Sequence, residues 1–98
     1  GHYTIFAQAH FMNTNITTIK LYDDTNDVDV IIGMASYVSA SAGTGPFPSL
    51  NGSFTITQNT DFQLKYRVGN TNATNDLGQN NSFGVPEVYV NIRIEKLK

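Results

Sequence analysis

The 98-residue chain has no cysteine, two histidines, three prolines and only six basic residues. Without thiols there are no disulfide staples and no cysteine nucleophile, although this leaves the redox compartment open. With His2 and His10 as the only imidazoles and no nucleophile-elbow sequence, a serine hydrolase would lack its base. Glycosidases need two carboxyls about 5–10 Å apart across a cleft, whereas half of the eight acids here crowd into the 23–29 stretch, where they solvate a turn. The chain is therefore read as non-catalytic. Lys20, Lys65, Arg67, Arg93, Lys96 and Lys98 are scattered and the net charge is −2, which argues against nucleic acid as a partner. The longest apolar run, residues 30–34 with Gly33 inside it, falls far short of the ~20 residues of a membrane helix. No membrane insertion is expected.

Sustained helical periodicity is also missing, and the abundant Asn and Thr favour turns and strands over helix interiors. What the chain has instead is alternation. Tyr3, Ile5, Ala7, Ala9 and Phe11 share one face, while Phe6 and Met12 make the opposite face apolar too, so residues 3–12 read as a strand buried on both sides. Residues 16–22 and 28–38 read as a hairpin about the DDTND turn. Leu50, Phe54 and Ile56 form the next face, followed by Phe62, Leu64, Tyr66 and Val68, with Gln63, Lys65 and Arg67 pointing away. The closing stretch alternates Val88, Val90, Ile92 and Ile94 with Tyr89, Asn91, Arg93 and Glu95. Terminal strands stay ordered when tied into a sheet, and this one reads as a central sheet element. About six strands in 98 residues give a single all-β domain over residues 1–98, a compact antiparallel β-sandwich or jelly roll. So short a chain buries only about two-thirds of its unfolded surface, and oligomerisation is an attractive further source of burial.

Two connections stand out. Residues 39–49 combine two glycines with two prolines, so no ladder is expected through them; Phe47 sits between the prolines. Residues 69–82 are almost wholly polar, and a connection this long in so small a domain is more often functional than idle. Asn70, Thr71, Asn72, Thr74, Asn75, Asp76, Gln79, Asn80 and Asn81 donate and accept hydrogen bonds in the manner that suits sugar hydroxyls. Phe47 and Tyr37 are candidates for a ring face against a saccharide. Asp23, Asp24, Asn26, Asp27 and Asp29 offer oxygen ligands to a hard cation, yet the same residue types build tight turns. No metal or cofactor is assigned.

The stretch IKLYDDTNDVDVIIGMASY, and the pairing of FTITQNTDFQLKYRV with a closing FGVPEVYVNIRIEKL, resemble the small C-terminal head domains of bacteriophage and prophage fibre proteins. The resemblance spans most of the chain, carried by the order and spacing of short motifs. It implies a reduced tumour necrosis factor-like jelly roll, a parallel homotrimer about a threefold axis, and a place on the virion surface at a tail or capsid fibre tip. Gly1 and His2 read as remnants of cloning, so the chain is expected to be a piece excised from a longer protein, which the resemblance makes the C-terminal end of a fibre protein. The sheet holding both terminal strands would face the axis, with Phe6 and Tyr89 as trimer-interface residues. The partners are then further copies of the chain and a bacterial cell-surface glycan or protein, bound through loops. His2 and His10 lie roughly 26 Å apart on one continuous strand, too far to share an ion within one chain, though a threefold axis would gather copies of either. A purely structural trimerisation or capsid-surface module, and a monomeric carbohydrate-binding module of a cellular enzyme, are the alternatives from the same residues.

Overall fold

The computed structural model describes residues 1–11, 15–38, 45–69 and 90–97. Within them the chain is all-β, with seven strands and no helix: β1 His2–Ala9, β2 Asn15–Asp23, β3 Val28–Ile32, β4 Ser36–Val38, β5 Ser49–Thr55, β6 Phe62–Val68 and β7 Val90–Lys96. Every pairing is antiparallel. One sheet runs β5-β1-β7. The other is built on β2, with β6 along one edge and β3 and β4 sharing the opposite edge.

The core lies between the sheets. Ile5, Ala7, Ala9 and Phe11 along β1 and just beyond it, Leu50 and Phe54 of β5, and Ile19 and Leu21 of β2 are its buried members. Period-two alternation put these side chains on one face of each strand, and β5 carries the contact across to β2 and β3. The Phe54 ring links β5 to its surroundings, stacking on Tyr3 at 5.6 Å and meeting Phe62 edge-on at 5.3 Å.

Three expectations about the strands are corrected. Strand β1 is buried on one face only: Phe6 on the other face is 44% exposed, because the second sheet covers a single side. Strand β7 is an edge, not a central element, among the described residues. Its one neighbour is β1, which lies between β5 and β7. Register aligns Ile94 with Ile5, Ile92 with Ala7 and Val90 with Ala9, so these residues share the core face, yet they remain 40–54% exposed. Strand β7 thus extends beyond the cover of the second sheet. The expected 28–38 strand is broken into β3 and β4 at a corner. Gly33 N–H donates to the Ile19 carbonyl of β2 at 2.8 Å, and Met34 N–H donates to the Ser49 carbonyl of β5 at 2.6 Å. Consecutive residues therefore bond to different sheets.

The proline segment also departs from expectation, since part of a ladder does run through it. Ala9 N–H donates to the Pro48 carbonyl at 3.2 Å and Phe11 N–H to that of Pro46 at 3.0 Å. A proline cannot return the second bond of such a pair, so the regular β5 ladder begins only at Ser49. Both prolines are buried, in the company of Leu50.

The β2–β3 turn is built from its acids. Asp23 is buried, and its carboxylate accepts the Asn26 backbone N–H at 2.8 Å and the Asn26 side-chain amide at 2.7 Å. Asp27 takes a left-handed φ of 55°, a conformation that Asp tolerates better than most residues. A bulge between Leu21 and Tyr22 shifts the hairpin register. The Asn26 side-chain hydrogen bond holds the Asp23 carboxyl below its ordinary 3.8, outweighing desolvation, and the Asn26 and Thr25 backbone N–H groups lower it further. A depressed folded-state pKa contributes stability above the unfolded value, lost as pH falls through the folded one. Urea midpoints measured between pH 5 and pH 2 should therefore fall more steeply for the wild type than for Asp23→Asn. Identical acid limbs would mean that the turn does not hold this carboxylate.

Candidate binding face

The polar loop proposed from sequence, with Asn70, Thr71, Asn72, Thr74, Asn75, Asp76, Gln79, Asn80 and Asn81, lies outside the described residues, as does Tyr89. Phe6 and Phe47 are described. Phe6 stands on the outer face of the β5-β1-β7 sheet, directly across from Asn51 and Arg93. Its surroundings are polar: Thr4, Asn51, Arg93 and Glu95 line a shallow depression beside it, and Arg93 pairs with Glu95 at 2.6 Å. The apolar residues of β7 point to the opposite face.

Phe47 is half-exposed, but one side of its ring is occupied. His10 stacks on it at 4.2 Å with the two planes 5° apart, and Phe47 N–H donates to Ser36 Oγ at 3.1 Å. Burial lowers the His10 pKa, so at neutral pH the stacked ring is uncharged. Phe47 thus closes its own loop against β1 and β4 while leaving part of its ring at the surface. Tyr37 is 67% exposed and lies across from Ile16 at the start of β2.

A different constellation comes from the outer face of the second sheet. Thr17, Ile19, Leu21 and Asp23 face inward along β2, so Thr18, Lys20 and Tyr22 must face outward. Pairing with β6 sets Arg67 opposite Thr18, Lys65 opposite Lys20 and Gln63 opposite Tyr22. On the other edge Ile32 lies opposite Lys20 and Asp29 opposite Tyr22. Half of the six basic residues therefore share one face. Lys20 Nζ is 2.8 Å from Asp29, and Lys65 Nζ lies over the Tyr22 ring, 3.6 Å from its centroid. The Tyr22 hydroxyl donates to Asp27. That bond, with burial and the nearby acids adding to it, raises the phenol pKa to about 12. Arg67 has no ion-pair partner among the described residues. A groove of 440 Å³ runs between these side chains, lined by Thr18, Lys20, Asp29, Ile32, Lys65 and Arg67 among others.

Sequence reasoning missed this face. It recognised that Lys65 and Arg67 point away from the core, but Lys20 lies 45 residues from Lys65 along the chain and only the β2–β6 pairing joins them. Of the 23–29 acids, Asp23, Asp27 and Asp29 engage Asn26, Tyr22 and Lys20 respectively. Among the described residues no group of three or more His, Asp or Glu is placed to hold a metal ion. No protein-family model, curated protein or solved structure matches the chain.

Proposed function

We propose that the chain is the non-catalytic head of a phage or phage-derived fibre, a jelly roll that trimerises and attaches the virion to a bacterial cell-surface glycan or protein. The observation that carries this reading is the unfinished side of the sandwich. Val90, Ile92 and Ile94 are apolar, face the core side and stay about half exposed, which is unfavourable for a monomer, at about 25 cal/mol per Å² of apolar surface left in water. A threefold assembly is a way to cover them. The strand pairings support the same reading: β1 pairs with β7 and β2 with β6, a nested order like that of an antiparallel ribbon rolled into two sheets. Both terminal strands share one sheet, as the fibre-head resemblance requires.

Trimerisation multiplies weak contacts, since tethered sites experience a high effective concentration. A shallow site with millimolar affinity per copy then holds a virion. Light scattering over a range of concentrations should return three times 10.8 kDa for the wild type and a folded monomer for the double variant Ile92→Glu/Ile94→Glu. A persistent wild-type monomer would overturn the assembly and favour a carbohydrate-binding module. Replacing Asn72, Asn75 and Asn81 by alanine separates receptor binding from a purely structural head: host attachment falls with the trimer intact in the first case and is unchanged in the second.

A further inference from the structure

Positive charge is concentrated on the outer face of the β2–β6 pair although the chain as a whole carries −2. Lys20 and Lys65 stand directly opposite each other, an arrangement of like charges that works against sheet stability. Asp29 relieves Lys20, and the electron-rich face of Tyr22 relieves Lys65. Arg67 follows Lys65 by two residues on the same strand face, about 7 Å further along, without an ion partner among the described residues. Its guanidinium offers a planar fork of donors that matches a carboxylate. Thr18, directly across the ladder, brings a hydroxyl beside it.

We propose that this face binds an acidic polysaccharide, seating a sugar carboxylate between the Arg67 guanidinium and the Lys65 ammonium. The inference takes its biological setting from the fibre-head reading, but its chemistry stands on this face alone. The groove of 440 Å³ combines the groups a uronic sugar needs. Cations meet the carboxylate, the Thr18 hydroxyl is available to ring hydroxyls, and Ile32, 66% exposed, covers an apolar ring face. Nucleic acid fits less well. Three cations, one of them already paired with Asp29, neutralise few phosphates, and phosphate neutralisation dominates that kind of affinity.

Calorimetric titration of the whole chain with polygalacturonate, with neutral dextran and inorganic polyphosphate as comparisons, tests the assignment. Polygalacturonate should bind, dextran should not, and raising the salt from about 50 to 200 mM should weaken the interaction. Arg67→Ala and Lys65→Ala should each reduce affinity about tenfold or more, the scale of a charge-assisted hydrogen bond, with unchanged thermal midpoints. Arg67→Lys, which keeps the charge and loses the fork, should recover only part of it. Undiminished binding by Arg67→Ala, binding of dextran, or no binding of polygalacturonate would overturn the proposal. Polyphosphate held as tightly as polygalacturonate would overturn the carboxylate assignment. A trimer that ignores polygalacturonate refutes this inference and leaves the fibre head standing; a monomer that binds it does the reverse.

Discussion

Replacing Gly33 by alanine should destabilise the domain by about 3 kcal/mol, at the upper end of what an added methyl group costs in a packed site. In a domain of this length that corresponds to a fall of roughly 12–24 °C in thermal midpoint. The cause is close approach rather than backbone conformation. A Cβ at position 33 would lie 2.5 Å from the Ile19 carbonyl oxygen and 2.7 Å from that of Ser49. Both are backbone atoms, one in each sheet, and both accept the hydrogen bonds that form the corner. Neither moves without parting β2 from β3 or the corner from β5. Gly52→Ala is the matched comparison. Its Cβ would meet the Ile31 side chain, nearest at 3.0 Å, and a side-chain end can rotate away. Thermal melts of the two variants should therefore rank Gly33→Ala well below Gly52→Ala. Equal midpoints would mean that the two sheets do not meet at Gly33.

The second large effect is expected at Phe11. Its side chain is 1% exposed and its ring lies 5.1 Å from that of Tyr66, tilted by 48°. It thereby joins the end of the β1 run to β6 in the opposite sheet. Truncation to alanine removes the ring and leaves a cavity, which for phenylalanine costs about 3–5 kcal/mol. Because whole domains are stable by only about 5–15 kcal/mol, Phe11→Ala should leave a substantial unfolded population near its lowered midpoint. Phe11→Leu, which keeps most of the volume, should lose less than half as much. Urea denaturation of both variants provides the check. A loss below about 1 kcal/mol in the alanine variant would show that Phe11 is not packed between the sheets. Its backbone bond to Pro46 is unaffected by either change, so the comparison isolates the ring.

The two surfaces left unfinished by the fold have different chemistry. The exposed core-side residues of β7 are aliphatic, and association that covers them gains from the removal of water. The outer face of β2 and β6 is cationic and hydroxylated, which serves orientation and specificity better than bulk burial. Under the proposed function, these separate requirements would let one small domain both assemble and hold an acidic glycan. They also allow each role to be removed without the other: Ile92→Glu/Ile94→Glu addresses assembly and Arg67→Ala addresses the ligand.

Periodicity by itself pointed to an all-β chain and set Ile5, Ala7, Ala9 and Phe11 on one face of β1, but it read both faces of that strand as buried. Alternation is a local property of the backbone, so it can be read without knowing what any strand packs against. The turn between β2 and β3 was legible for the same reason, since Asp and Asn close it through near neighbours. Only the tertiary structure decided that β1 takes both β5 and β7 as partners, leaving β7 at an edge among the described residues. Only it placed Gly33 where two sheets converge, and Lys20 beside Lys65. Strand pairing joins residues distant in sequence, and a scattered set of charges becomes a face only after the ladder between β2 and β6 fixes their register.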